Sequence, residues 1–457
     1  MNILLMIADD LGRMAGCYGA HGLTTPHIDA LAAQGTRFDM AFTSTASCSG
    51  SRSVIFTGLH THQSGQYGLH HDHHHFMTFG DVATLPALMN RAGVHGGIIG
   101  KVHVGPPETY PWALREESGT RDIRWVAGRA AAYFADRAAD GRPFCLTVGF
   151  IDPHRDRTRG GFGNAEFGAE DPAIAPEAVI VPGFLPDLPE TRIELAEYAR
   201  SVHRLDRGVG LVLDALAAAG LAADTLVVFL SDNGAPFLNS KTTLYDAGVH
   251  LPLILRRPGQ RAGIANPNLV SFVDLLPTFL EAAGAGPAPA PCRGRSVLPI
   301  LEETRALPDW DHVFGSHSFH EVTNYWPTRF LRDRRFKYHR NVAWQLDFPF
   351  SGDLYGSLTW EGVRRTDPPM IGPRPLSAYL RRPAEELFDL EADPDEVTNL
   401  AGDPAHADRL AAMRDRLEAW QRATRDPWLY RDGVSVMAVE HHLAAGLTLP
   451  DRFDMEG

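Results

Sequence analysis

The chain has 457 residues, with 43 Lys and Arg against 56 Asp and Glu, a formal net charge of −13 with histidine neutral. That balance excludes a protein that holds nucleic acid by its general surface charge, because polyanion binding draws most of its affinity from a Lys/Arg excess; an anionic ligand would need a locally basic pocket. A 44% hydrophobic fraction with 22% charged residues is ordinary globular composition, and at about 150 residues per domain the length allows roughly two or three domains.

The opening MNILLMIADD has no basic n-region, long apolar stretch or cleavage site, and no apolar run approaches the roughly 18–20 residues that span a bilayer. The chain is therefore expected to be soluble, without a membrane partner, and cytoplasmic, or periplasmic or secreted if a leader has been trimmed. Ile3–Ala8 reads as a buried strand that ends in Asp9 and Asp10. Next comes the polar stretch TSTASCSGSRS, in which five serines, a glycine and an arginine surround Cys48. If a helix starts there, Cys48 and Arg52 share one face, the serines offer N-caps, and the helix terminus favours negative charge at the thiol. A thiol nucleophile is one reading of that arrangement. The remaining cysteines, Cys17, Cys145 and Cys292, are scattered, with no zinc spacing and too few sulfurs for a disulfide framework.

Seven histidines fall between His60 and His75. They read as a loop rimming a pocket, with a transition-metal site and plain surface histidines as alternatives. Gly97–Gly100 is a second strand, followed by Lys101 and His103, which on an extended segment point the same way. Phe144–Ile151 is a third, followed by Asp152-Pro153-His154. Thr191–Gly220 has helical spacing through Leu195, Tyr198, Val202, Leu205, Val209, Leu213 and Leu216. Thr225–Leu230 is a fourth strand, closed by Ser231-Asp232-Asn233-Gly234. After a Pro/Ala/Gly-rich connection at Gly284–Pro291 the pattern changes to separate strands at His312–Ser316, Thr328–Leu331 and Phe336–His339, and a helix near Ala405–Ala423.

Apolar runs separated by periodic segments point to an α/β fold with a mostly parallel sheet. The carboxyl ends of such strands form the binding crevice, so the four polar clusters are expected to converge. Asp9, Asp10, Asp232 and Asn233 would then offer an oxygen-rich set suited to a hard cation such as Ca²⁺, although acidic strand ends also cap turns. Lys241 reads either as a site cation or as a solvated charge. His320 and Glu321 read either as sugar contacts or as an interdomain hydrogen bond. A cysteine beside hard-metal ligands is a mismatch unless it is chemically altered.

Cys48-Ser49-Gly50-Ser51-Arg52 followed by Val54-Ile55-Phe56-Thr57-Gly58 resembles the signature of the sulfatases, with Gly50 where that signature carries proline. The resemblance extends through Ala8-Asp9-Asp10, Thr25-Pro26-His27-Ile28-Asp29, Gly97–Lys101, Ser231–Gly234, Gly294-Arg295-Ser296 and Leu387–Glu391. Within the family, Tyr67–His70, His74–Phe76, Lys101–Pro106, Asp152–Arg155 and His320–Thr323 most resemble the heparan N-sulfatases. The resemblance implies an alkaline-phosphatase-like α/β catalytic domain over residues 1–300, its central sheet mixed but mostly parallel and flanked by helices, with a smaller α+β domain over 301–457 completing the pocket. It implies one calcium ion held by Asp9, Asp10, Asp232, Asn233 and residue 48, and Cys48 converted to formylglycine by a formylglycine-generating enzyme. In that scheme the hydrated aldehyde attacks sulfur, and Arg52, Lys101 and Lys241 offset the developing charge. His154 protonates the leaving atom, and His103 helps release sulfate. Asp152, His320 and Glu321 are expected to contact substrate, and a homodimer is suggested.

The implied reaction is hydrolysis of a glucosamine N-sulfate in a heparan- or heparin-type saccharide. The alternatives are an O-sulfatase on a sugar or aryl ester, a phosphonate or phosphate ester hydrolase, and a non-catalytic binder of sulfated glycans. With net charge −13, attraction to sulfate must be concentrated at a few cations, which predicts a short sulfate pocket rather than a long heparin track.

Overall fold

A computed structural model describes residues 1–20 and 22–429. Its first sheet contains β1 (Asn2–Ala8), β2 (Thr36–Phe42), β3 (His95–Gly100), β4 (Leu114–Glu117), β5 (Phe144–Gly149), β6 (Thr225–Ser231), β7 (His250–Leu251), β8 (Leu253–Arg256) and β9 (Ile264–Ser271). The order is β4-β3-β5-β1-β6-β8-β2-β7, with β9 also pairing β2. From β4 to β6 every pairing is parallel; β8 and β7 add antiparallel pairings. The sheet is thus mixed and mostly parallel, as expected.

Parallel strands are covered on both faces and so read as continuous apolar runs. In β1, Ile3, Leu5 and Ile7 pack with Val54, Ile55 and Phe56 of the helix Cys48–Thr57 and with Leu276, Phe279 and Leu280 of the helix Leu275–Ala283. Leu4, Met6 and Ala8 face the other way, onto Leu195, Tyr198, Val202, Leu205 and Val209 of the helix Pro189–Ala218. That helix stops two residues before Gly220, which has φ +73°. It also reaches the strand ends: the Tyr198 hydroxyl lies 2.7 Å from the Leu11 carbonyl oxygen and 3.1 Å from that of Asp10.

A second, antiparallel sheet follows the Gly284–Pro291 connection. It runs β10 (His312–His317), β11 (Thr328–Asp333), β12 (Phe336–Asn341) and β15 (Glu385–Asp389), and the two-residue strands β13 (Met370–Ile371) and β14 (Arg374–Pro375) pair separately. Leu410, Met413, Leu417 and Trp420 of the helix Ala407–Ala423 cover it against Leu331, Phe336, Tyr338 and Leu387. Their three- and four-residue spacing is why the helix was legible. The part of the expected second domain beyond Leu429 lies outside the described residues. No helix among the described residues is long and apolar enough to cross a membrane.

The histidine-rich segment does not act as one unit. His60 and His62 pack edge-on against Trp420, and of the others only His70, His71 and His74 line the catalytic cavity, so the expectation that the whole segment rims one pocket is corrected. His62 bridges Ser316 Oγ and Thr424 Oγ1, each at 2.9 Å, and burial pulls its imidazole down to about 4. An ordinary unfolded-state value is about 6.5. The unfolded chain therefore takes up this proton first as pH falls, and the stability due to neutral His62 is lost from about pH 6.5 down to about pH 4. In His62→Gln, which cannot titrate, the change in unfolding free energy between pH 7 and 5 should differ from that of the unaltered protein by about 2 kcal/mol. The comparison isolates His62 from Asp274 and Glu396, whose raised values act in the opposite direction. Urea unfolding at the two pH values measures it, and identical pH dependence in both proteins would refute the assignment.

Candidate active site

Because β3, β5, β1 and β6 are parallel neighbours, the residues that follow them meet at one edge. They open into a cavity of about 1030 Å³ whose wall includes Asp9, Cys48, Lys101, His103, His154, Lys241, His320 and Glu321. The tight join of β3 to β5 depends on Gly100: at φ +84° a side chain there would place Cβ 2.2 Å from the Gly149 carbonyl oxygen.

Cys48 is the first residue of the helix Cys48–Thr57, and Ser47 precedes it as N-cap residue, with its hydroxyl 2.9 Å from His320 Nδ1. One turn on, Arg52 is wholly buried; its Nε donates to Asp232 Oδ2 at 2.9 Å and its Nη1 to the Lys101 carbonyl oxygen at 3.1 Å. Cys48 Sγ lies 3.7 Å from Asp10 Oδ1. The helix terminus does not activate this thiol. Burial first, then the charges of Asp9 and Asp10 against the opposing pull of Lys101, push it well above the ordinary thiol range, so the plain thiol nucleophile is disfavoured. Position 50 has little room: a Cβ on Gly50 would lie 2.8 Å from Thr45 Cγ2 and 3.2 Å from Thr61 Cγ2. The packing of this chain therefore favours glycine where the sulfatase signature has proline.

Asp9, Asp10, Asp232 and Asn233 are all fully buried. Lys101 Nζ donates to Asp9 Oδ2. Lys241 Nζ donates to Asp10 Oδ2 and to Asp353 Oδ2, each at 2.8 Å. Lys241 is thus a buried site cation and not a solvated charge. Burial alone would raise the Asp9 carboxyl, but Lys101, His154 and Arg52 together hold it well below the carboxylate range; burial and then the charge of Asp9 push Asp232 the other way. Asn233 turns its amide nitrogen to Asp10 Oδ1 at 2.6 Å, which leaves its Oδ1 buried and without a hydrogen-bond partner, as is Asp9 Oδ1. Unsatisfied buried oxygens cost free energy unless a donor or cation meets them. Two such oxygens beside clustered carboxylates fit a hard divalent ion, and Asp9, Cys48 and Asp232 already bring ligand atoms within 4.8 Å of one another.

His154 is the best-defined proton carrier. Its Nδ1 lies 2.5 Å from the Arg155 carbonyl oxygen, which only accepts, so Nδ1 carries the hydrogen and Nε2 is left toward the cavity. Nε2 is 3.2 Å from Lys241 Nζ and 3.7 Å from Asp10 Oδ2. Burial, then Lys241, lowers the imidazolium below its usual range and so makes it a stronger acid. His103 Nε2 lies 2.8 Å from His71 Nδ1. With φ +60°, His103 is not on an extended segment; it reaches the same cavity as Lys101 through a left-handed turn, and simple alternation is corrected.

Asp152 is also corrected. Its carboxylate accepts from Arg121 Nη1 at 2.5 Å, from Arg204 Nε at 2.6 Å and Nη2 at 2.8 Å, and from Ser201 Oγ at 3.0 Å. With its lone pairs occupied by two guanidinium groups and only 2% of the residue exposed, it lies beneath the His154 loop and is not part of the cavity wall. His320 and Glu321 are both wall residues, and only His320 hydrogen-bonds across the expected boundary at residue 300, to Ser47. Glu321 Oε1 accepts from the Gly352 amide at 3.0 Å. Sequence reasoning missed Asp353. Burial would raise its carboxyl, but Lys241, His154 and His320 hold it well below the carboxylate range. Its place beside Lys241 is purely tertiary, and no spacing signals it.

A sulfatase family profile matches residues 1–285, and the profile described as N-sulphoglucosamine sulphohydrolase, C-terminal, matches residues 237–346. The chain is 42% identical to the N-sulphoglucosamine sulphohydrolase of Homo sapiens, over 95% of this chain and 92% of that protein. It is 29% identical to an ulvan-active sulfatase of Formosa agariphila, over 93% and 80% of the respective chains. Among solved structures, one bound to its substrate D-glucosamine-2-N,6-O-disulfate superposes with a TM-score of 0.67 at 20% identity, covering 93% of this chain and 98% of its own. The phosphonate monoester hydrolase of Agrobacterium radiobacter gives 0.64 at 20% identity, covering 93% and 96%; likeness at that identity speaks for a common fold.

Proposed function

This chain belongs to the sulfatase family, and from that premise we propose that it hydrolyses the N-sulfate of glucosamine in heparan- or heparin-type saccharides. The observation that carries the substrate is the 42% identity to an N-sulphoglucosamine sulphohydrolase along 95% of the chain. When bound, a calcium ion held by Asp9, Asp10, Asp232, Asn233 and residue 48 would supply Lewis-acid polarisation of sulfate, and Cys48 after conversion to formylglycine would supply the nucleophilic hydroxyl.

The chain's own groups supply the rest. Arg52, Lys101 and Lys241 are held in place by Asp232, Asp9, Asp10 and Asp353 before substrate arrives. Their charge is therefore available at the sulfate oxygens without reorganisation, the form of stabilisation that commonly contributes most. Substrate anion entering beside His154 favours its protonated form, and Nε2 then gives that proton to the leaving nitrogen. His103 holds or accepts a proton at the ring nitrogen facing the cavity as sulfate departs. His320 and Glu321 shape the saccharide end of the pocket.

Sulfate release from N-sulfoglucosamine and from 6-O-sulfated glucosamine, measured side by side at saturating Ca²⁺, tests the substrate. The N-sulfated sugar should turn over faster. Faster release from the O-sulfated sugar would replace this reading with that of an O-sulfatase.

A further inference from the structure

We propose that His70, His71 and His103 form a second metal site in the wall of the catalytic cavity, one that takes a borderline transition cation, Zn²⁺ being the probe of choice, and not calcium. One nitrogen from each ring lies within 4.8 Å of the others. The ring centroids are 5.8 Å apart for His70 and His71, 5.2 Å for His70 and His103, and 4.8 Å for His71 and His103. A tetrahedral zinc ion with bonds of about 2.0–2.1 Å spaces its ligand nitrogens by roughly 3.3 Å. The 2.8 Å between His103 Nε2 and His71 Nδ1 must therefore open by only about half an ångström.

The donor set is what separates this site from the oxygen cage beside it. It is all imidazole, which suits zinc, copper and nickel and offers nothing to a hard cation. A second observation points to a ligand: His70 Nδ1 is buried without a hydrogen-bond partner. Burial and then His71 bring His70 down to about 4, and burial and then Lys101 hold His103 well below the imidazole range. The rings are thus neutral near pH 7, as metal ligation requires. His74 lies edge-on to His71, but its Nδ1 accepts from the Val322 amide at 3.2 Å, so that nitrogen is engaged elsewhere. All three ligand rings line the cavity, and the fourth position of a zinc ion would face water or an entering sulfate oxygen.

A metal here removes a ring nitrogen of His103 from proton transfer, so zinc acts as a reversible inhibitor of sulfate release. That consequence rests on the role given to His103 above; the binding itself does not. In the full chain with excess Ca²⁺, competition against a chromophoric chelator should show one Zn²⁺ bound per chain, and Co²⁺ used as a probe should give the intense visible ligand-field bands of a four-coordinate nitrogen site. His70→Gln and His71→Gln should each weaken zinc binding by at least about tenfold. Undiminished affinity in both variants, displacement of zinc by calcium, or a weak six-coordinate cobalt spectrum from the unaltered protein would overturn the site. The spectrum needs no variant and so decides the matter even if a substitution misfolds. Zinc bound without loss of sulfate release would uphold the site and overturn instead the role of His103.

Discussion

Replacing Cys48 by alanine should lower sulfate release by roughly 10⁶-fold, the scale on which an enzyme feels the loss of its nucleophile. The side chain is only 1% exposed, begins the helix that carries Arg52, and points at Asp10. Burial and two carboxylates keep its thiol protonated, so its contribution depends on conversion to formylglycine. The variant removes one sulfur from a packed site and leaves the ion pairs of Arg52, Lys101 and Lys241 intact, so folding should survive; a thermal melt verifies this. The decisive companion measurement is the mass of the peptide containing Cys48, from protein made with and without a formylglycine-generating enzyme. Activity should follow the fraction in which thiol sulfur has been exchanged for aldehyde oxygen. Full turnover by protein whose Cys48 is wholly unmodified would exclude that chemistry. The crowding of Gly50 by Thr45 and Thr61 bears on the same measurement: the maturing enzyme must act on a glycine-containing segment that the final fold packs tightly.

The second large effect is at His154. His154→Gln should lower kcat/KM for N-sulfoglucosamine by about 10²–10⁴-fold, the usual worth of a positioned general acid. The loss should be much smaller for an aryl sulfate such as 4-nitrophenyl sulfate, whose leaving oxygen departs without a proton. The geometry makes the contrast sharp. Nδ1 is committed to the Arg155 carbonyl oxygen, and only Nε2 faces the cavity, next to Lys241. A glutamine can occupy much of the same volume and accept from Lys241, so binding should be affected less than the chemical step. An equal loss on both substrates would mean that His154 orients Lys241 or the sulfate and does not carry the proton.

Four strands and their polar ends were legible from the sequence because a parallel strand covered on both faces must be apolar throughout and can become polar only where it leaves the sheet. Ile3–Ala8 with Asp9 and Asp10, and Thr225–Leu230 with Asp232 and Asn233, showed both features. The helices Pro189–Ala218 and Ala407–Ala423 were legible for a related reason: each buries one stripe at helical spacing. Strand β2 and the short β7 and β8 were not anticipated, since Thr36–Phe42 mixes charged and apolar residues and two- to four-residue strands carry too little pattern to distinguish them from loops.

By itself the sequence determined which residue types stand at the strand ends, the helical register that joins Cys48 to Arg52, and the family these motifs share. Only the tertiary structure decided which of those residues line the cavity. Lys241 and Asp353 are 112 positions apart and meet through one ion pair. Asp152, adjacent to a functional turn, is turned away by Arg121 and Arg204, and of the histidines from His60 to His75 only His70, His71 and His74 reach the cavity wall, while His60 and His62 pack on Trp420. Spacing along the chain encodes local periodicity, whereas the direction of a loop side chain is chosen by partners brought up from distant elements. The overall charge of −13 could exclude a general polyanion binder, but it took the fold to gather Arg52, Lys101 and Lys241 at one edge of an acidic protein.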